Sequence, residues 1–517
     1  MPPGIKISDS LRDWKAQVPV PVYDADPELA DLYWKAWECA HDHIKQIPGM
    51  PQSPYMDEAF CHTQIWIWDT CFMSLFCKYA PGVFPGVESL QNFYDVMYGG
   101  YRFPLVTVPE NEPKWTGGIP GQQKRLQIQI ADNPPLFAWA EYENALFTGD
   151  LEHLRTLLLR GQHLQKHYFW LEGLKERFQA EWVNVPTCWV AHGNGYSWEG
   201  GRSGMDNSPR GRAGERAEKE RPGTSDLLWL DALAQQGMSA DYIGRLFSLI
   251  GHVAEAAEWK ERAERKAELL RTLYWDPEDR MFYDRSLSKG TFCKVPTIAS
   301  FWPLAAGAAT REQAEAMAEK LEDPDYFGGE RPLTSLARKD PDFAGDGGKY
   351  WRGSVWIPTA YMTLSGLRRY GMHDLARKTA SKLLRHLWKT YHDYEPHTIW
   401  ECYSPSGDEP AKCADNVHFV RKNFCGWSAL APISILIEYL IGIYSVNAFE
   451  RKVCWNPDCS LKGRTGIRNF RFGNITVDMI CENGICTVSS DEPFILEING
   501  VFFNIVKGSQ SFHVFAK

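Results

Sequence analysis

From about Pro27 to Tyr444 the chain repeats one pattern, apolar residues at three- and four-residue spacing in segments that come largely in pairs. A period near 3.6 rather than 2 commits this stretch to helices that each bury a stripe of their surface. The segments are residues 29–44, 136–147, 151–171, 226–236, 240–274, 311–321, 355–370, 373–388 and 426–443. Turn signals divide the pairs. Gly149-Asp150 separates one pair, Gln236-Gly237-Met238-Ser239 another with Ser239 as N-cap, and Gly371 a third. Between the pairs run long loops rich in Gly, Trp, Asn and Pro, at 109–123, 183–212 and 343–352. Long irregular loops in a helical domain are functional or disordered, and these carry too many aromatics for disorder. A ring of helical hairpins would gather them at one end, although periodicity alone admits other all-α arrangements.

After Tyr444 the composition shifts to short branched and aromatic runs at 475–477, 485–488, 494–498, 502–506 and 512–515. The expected division is therefore a helical domain over 1–445 and a small β-sandwich-like domain over 446–517. Asn483-Gly484 reads as a two-residue hairpin turn that sets Cys481 opposite Cys486. This explains the second of two equal cysteine gaps (454/459 and 481/486) without a zinc site.

Composition excludes several function classes. The formal net charge is -9, and the basic stretch Arg210 to Arg221 is interleaved with Glu215, Glu218 and Glu220. It reads as a solvated surface loop, so no nucleic-acid partner is expected. No apolar run reaches the roughly 18 residues of a membrane span, and the nearest, 430–443, is broken by Pro432 and Glu438. Thirteen scattered cysteines and the absence of a signal pattern over 1–18 point to free thiols and a cytoplasmic location. No metal or cofactor is expected. Asp276-Pro277-Glu278-Asp279 is weighed as a calcium loop and read instead as a turn leading into a short hairpin. Oligomeric state is not set by the sequence.

Twenty-one tryptophans fit either a large core or an aromatic cleft for a carbohydrate. Glycoside hydrolysis needs a protonated carboxyl and an ionised one, and such a pair should sit in aromatic, Gly-rich loops. Asp206 lies in Trp198-Glu199-Gly200-Gly201-Arg202-Ser203-Gly204-Met205-Asp206-Asn207-Ser208-Pro209. With no charged residue adjacent, it is expected to be partly buried, which would raise its pKa and favour the acid role. A helix-capping Asp is the alternative. Glu401 lies in His397-Thr398-Ile399-Trp400-Glu401-Cys402-Tyr403, with a turn-bonded Glu as the alternative.

Five segments, in order, resemble glycoside hydrolase family 63 and its mannosylglycerate-hydrolase-like relatives, with the family 37 trehalases more distant. Ser203 to Pro209 resembles the acid motif, and Trp400-Glu401-Cys402-Tyr403 the base motif. Trp66-Ile67-Trp68-Asp69-Thr70 resembles the motif of the innermost sugar subsite. Tyr350-Trp351-Arg352-Gly353-Ser354-Val355-Trp356 and Phe424-Cys425-Gly426-Trp427-Ser428 resemble two further signatures. The resemblance implies a mainly α protein, an (α/α)6 barrel with a small C-terminal β domain, hydrolysing α-glycosides with inversion. Asp206 would be the general acid and Glu401 the general base, with carboxyls about 6.5–9.5 Å apart. Trp68, Asp69, Asn133, Glu199, Arg202, Trp351, Arg352, Gly353, Trp356 and Trp427 are the candidate sugar-binding residues, with core packing the competing role for the tryptophans.

Two departures bear on substrate. Gly201-Arg202 stands where relatives have Trp-Glu before Ser-Gly, and Asp132-Asn133 stands where many have Gln before Pro-Pro. An α-glucoside is the first expectation. An α-mannoside or a glycosylglycerate held by Arg202 is the second, and a non-catalytic carbohydrate-binding protein the third. A sugar epimerase ranks low because no histidine but His397 falls in either carboxylate loop.

Overall fold

The computed structural model describes residues 14–59, 63–108, 130–132, 136–180, 186–210 and 226–514. It has a mainly helical core followed by separate β-sheets toward the C-terminus. The helices fall into two classes by burial. Ile67–Cys77 buries every residue but Asp69, and Ala431–Ile441, wound as a π-helix, is buried throughout. A helix with no polar face has to be interior. His373–Asp393 instead buries a stripe (Ala376, Ala380, Leu383, Leu387, Thr390), and Val253–Leu269 buries little beyond Trp259, Lys266 and Ala267. These lie outside. Among the interior helices, Phe137–Thr148 packs on both Ile67–Cys77 and Leu230–Leu249, and Trp302–Ala305 bridges Leu230–Leu249 to Ile357–Arg369. Ala431–Ile441 touches both Ile357–Arg369 and Ile67–Cys77. Leu29–Asp42, Gly86–Asp95, Val253–Leu269 and His373–Asp393 each pack on one or more of them from outside.

Three interior helices run in the same sense. Each begins beside a motif residue (Trp66, Trp356, Trp427) and ends at a buried ionic cluster. There Glu438 accepts from Lys78 (3.1 Å), Tyr79 (2.9 Å), Tyr361 (2.9 Å) and Arg368 (2.8 Å). Lys78 also reaches Glu143 at 3.0 Å. The buried charges are thus matched, as such groups must be.

The expected turn at 236–239 is not there. Leu230–Leu249 runs through it, and the chain turns instead at Gly251 (φ 81°) before Val253–Leu269. Gly237 serves packing, since a Cβ there would lie 3.2 Å from the Lys266 Cβ, so the glycine lets the two helices approach. Ser239 is buried mid-helix and caps nothing. The turns at Gly149 and Gly371 occur as expected, and Asp150 caps the next helix by accepting from the His153 N–H at 2.9 Å. Helices Ile67–Cys77 and Gly86–Asp95 were not among the expected segments.

Toward the C-terminus, strand Ile475–Glu482 buries alternate residues, the period-2 pattern of a one-sided strand. It joins Arg464–Phe472, Ile485–Ser490 and Gly508–His513 in one sheet, whose fifth, edge strand is Val20–Tyr23 from the other end of the chain. A second sheet holds Ile443–Asn447, Lys452–Trp455, Phe494–Ile498 and Val501–Ile505. Asn483 and Gly484 have positive φ, and Cys481 faces Cys486 as the hairpin required. Phe470 docks this region onto Tyr79 and Phe147 of the helical core. The segment at 276–279 is likewise a hairpin turn between Trp275–Asp276 and Met281–Phe282. Lys294 Nζ lies 2.6 Å from Asp276 and 3.2 Å from Asp279.

The basic stretch needs correction at its start. Arg210 is fully buried, its guanidinium clamped between Asp231 (2.5 and 2.8 Å) and Asp284 (2.8 and 2.6 Å) over the face of Trp229. The remainder, 211–221, lies outside the described residues. Replacing Arg210 with Met leaves two buried carboxylates without their cation. Urea unfolding of Arg210→Met is expected to show a loss of about 3–5 kcal/mol, whereas a solvated arginine would cost almost nothing.

Candidate active site

Glu401 follows the buried Trp400 on a short extended segment bridged to Lys422, and its backbone N–H donates to the Arg421 carbonyl at 2.9 Å. The residue is 1 % exposed. Oε1 accepts from the Tyr350 hydroxyl at 2.8 Å and from Arg421 Nη1 at 2.7 Å, and Oε2 accepts from the Arg421 N–H at 3.2 Å. Its carbonyl accepts from the Trp427 indole at 2.7 Å. Burial, then the nearby carboxylates Glu401 and Asp206, push the Tyr350 hydroxyl far up, so it stays a donor.

Tyr350 reaches this position at a cost in backbone conformation. Gly347, Gly348, Lys349 and Tyr350 all have positive φ (72°, 76°, 40° and 64°). The two glycines adopt this freely, while Lys349 and Tyr350 each store about 1–3 kcal/mol. Trp351 and Trp356 stack face to face at 4.0 Å behind the loop, both fully buried, and Trp356 meets the Tyr350 ring edge-on at 4.7 Å. Gly353, at φ 152°, brings the backbone against Phe343, where a Cβ would lie 3.0 Å from the ring.

Asp206 lies across from this group. It is exposed, contrary to the burial expected of it, and no helix begins there for it to cap. After the short helix Gly200–Ser203 the chain turns through Gly204 (φ 81°), which sends Met205 inward and leaves Asp206 on the crest. Its neighbour Asn207 fixes the crest to the Tyr350 loop, accepting from the Trp351 N–H at 2.8 Å and donating to the Lys349 carbonyl at 3.0 Å. Arg352 Nε donates to the Asn207 carbonyl at 3.2 Å. Gly204 sits on the Trp68 ring, where a Cβ would be 3.1 Å away. The Asp206 loop and the Tyr350 loop beside Glu401 are thereby tied into one structure.

Asp69 completes the group at the start of Ile67–Cys77. Burial first, with Glu401 and Asp206 acting in the same direction and Arg421 against them, raises its carboxyl to about 8. Trp427 bonds the Glu401 carbonyl and Trp68 lies against Gly204, while Trp351, Arg352, Gly353 and Trp356 belong to the Tyr350 loop and the stack behind it. Arg202 and Glu199 lie earlier in the Asp206 loop. Arg202 is buried, 3.4 Å from Asp132 and 4.0 Å from Glu199. Asp132 in turn accepts from the Cys188 and Trp189 N–H groups. Asn133 lies outside the described residues. Arg421 and Tyr350 were not singled out as site residues. Tyr350 opened a recognised motif, but Arg421 is 20 residues from the carboxylate it holds and carries no local signal.

Three helix N-termini converge here, at Ile67–Cys77, Ile357–Arg369 and Ser428–Leu430 running into Ala431–Ile441. Their positive dipole ends favour the clustered negative charge. The raised Asp69 carboxyl has a measurable consequence. Its folded value, about 8, exceeds the ordinary 3.8, so the folded state holds a proton that the unfolded chain releases between these values. This group's contribution to stability is present below the ordinary value and is lost as pH rises through about 8. Asp69→Asn is expected to melt increasingly above wild type from pH 4 to pH 8, with a constant difference beyond. Melting curves that stay parallel across that range would refute the assignment.

Comparison with known proteins bears on family and fold. The family model described as the mannosylglycerate hydrolase MGH1-like glycoside hydrolase domain matches residues 107–420, about three fifths of the chain, and spans both Asp206 and Glu401. An uncharacterized protein of Borreliella burgdorferi is 24% identical over 480 residues, 90% of each chain. The cytosolic neutral trehalase of Saccharomyces cerevisiae is 24% identical over 201 residues, 39% of this chain and 27% of that protein. A crystal structure of a family 63 mannosylglycerate hydrolase from Thermus thermophilus in complex with glucose shares the fold. Its TM-score is 0.54 at 20% identity, over 78% of this chain and 99% of that one. The chain belongs to the mannosylglycerate hydrolase MGH1-like glycoside hydrolase family.

Proposed function

We propose that the protein is an inverting, exo-acting α-glycoside hydrolase, with Asp206 as general acid and Glu401 as general base. The observation that carries this is the three-donor clamp on Glu401 facing an exposed Asp206 whose loop is pinned to the same clamp. Asp206, open to solvent, delivers a proton to the glycosidic oxygen. Glu401 takes one from a water on the opposite face of the sugar, and Tyr350 and Arg421 hold it in register. Asp69 and the Trp68 and Trp427 rings form the innermost sugar subsite. The interior helices close into an (α/α)6 barrel within a catalytic domain over 1–445, with a β domain over 446–517 to which Val20–Tyr23 adds a strand. Free thiols at the described cysteines support a cytoplasmic location.

The sugar is a glucoside in the first reading, consistent with a trehalase among the relatives. Arg202 is spent on Asp132 and Glu199, which weakens it as a clamp for a glycerate carboxylate. The second reading, a mannoside or glycosylglycerate, is favoured by the matched family's description, and the exposed Arg421 guanidinium would then meet the carboxylate.

Proton NMR of wild type acting on a panel of α-glucosides, α-mannosides and mannosylglycerate tests this directly. Early release of the β-anomer is expected, and the productive glycoside names the sugar. Early α-anomer would sink inversion and the Asp206/Glu401 assignment. Asp206→Asn and Glu401→Gln should each lower turnover by about 10²–10⁴-fold while leaving the fold intact.

A further inference from the structure

Glu58 is fully buried, and neither of its carboxyl oxygens has a side-chain hydrogen-bond partner among the described residues. It lies at the foot of the site. A Cβ on Gly426 would touch the Glu58 Cβ at 2.9 Å and its carbonyl at 3.1 Å, so Glu58 packs directly beneath the segment that carries Trp427. One residue earlier, the Asp57 carbonyl accepts from Cys425 Sγ at 3.5 Å. Among the described residues, the basic side chains nearby are committed elsewhere. His43 (2.6 Å) and Lys45 (3.2 Å) pair with Asp57, and Arg421 pairs with Glu401. Among the described residues, Glu58 feels the carboxylates of Asp57 and Asp69 and the Cys425 thiol, with Glu401 and Asp206 beyond Asp69, and the N–H groups of Trp66 and of Glu58 itself act in the opposite direction.

A carboxylate buried without a cation and facing two others takes up a proton. Burial first, then Asp69, then Asp57, raise Glu58 well above the carboxylate range. We propose that Glu58 is a positioning residue held in its protonated form, presenting an O–H rather than a second charge beneath Asp69. Asp69 can then ionise on meeting sugar hydroxyls, because the group beneath it is neutral. This rests on the sugar-subsite reading of Asp69 for its function, but not for its test.

Infrared spectroscopy of the carboxylic-acid C=O stretch supplies that test, at about pH 9, above the range in which Asp69 titrates. Wild type should retain an acid band, Glu58→Gln should lose it, and Asp69→Asn and Glu401→Gln should keep it. Glu58→Gln should also melt with wild type at pH 7, since a neutral amide replaces a neutral acid of nearly the same shape. A wild type with no acid band at that pH would overturn the proposal, as would a band lost in Asp69→Asn but kept in Glu58→Gln. The wild-type spectrum decides the matter even where a variant folds poorly. A wild type that hydrolyses no glycoside would count against the hydrolase reading and leave the infrared result standing.

Discussion

Carboxyl groups crowded into a confined space, more than can all be ionised at once, dominate this structure. Asp69, Asp206 and Glu401 share one end of the helical core, with Glu58 beneath them and the Arg421 guanidinium among them. Two unit charges 5 Å apart repel by about 3 kcal/mol at the effective dielectric of a protein site. Such a group persists only if its scaffold cannot relax. The scaffold here is stiffened in three ways. Asn207 bonds one carboxylate's loop to the other's support, the Asp132–Arg202 pair anchors the Asp206 loop from behind, and a fully buried tryptophan stack backs a strained tyrosine. Helix N-termini aimed into the same space offset part of the repulsion.

The far end of the same helices is built on the opposite principle. Glu438 is buried as deeply as Glu401, but Lys78 and Arg368 neutralise it and two tyrosines complete its hydrogen bonds. A matched cluster of this kind fixes how the helices meet without shifting protons on and off. One end of the core is therefore electrostatically closed, while the other is left short of positive charge. Unbalanced charge is what acid–base chemistry needs.

Much of this was legible in the sequence, and the failures have physical causes. Motif residues such as Trp68, Asp69, Glu401 and Trp427 stood out because their segments resemble family signatures, and they fall at helix starts or in the loops beside them. Gly237 and Ser239 misled because glycine and serine usually punctuate; here the glycine admits a neighbouring helix, a tertiary fact with no local trace. Asp206 misled in the same way. Its uncharged flanks pointed to burial, but the positive φ of Gly204 turns the neighbouring Met205 inward instead. Arg210 looked like one of several solvated charges, and its partners Asp231 and Asp284 lie 21 and 74 residues away. Arg421 and Glu58 likewise act through contacts made only on folding.

The edge strand Val20–Tyr23 has a consequence for biosynthesis. Its neighbour Asp24 pairs with Arg464, 440 residues later. A ribosome adding about 5–20 residues per second takes roughly 20–90 s to make that partner. During that interval a short extended segment near the start of the chain waits unpaired while the helices downstream, rich in local contacts, collapse behind it. The sheet can close only after the intervening chain has been made, so two strands some 440 residues apart are joined last, like a clasp.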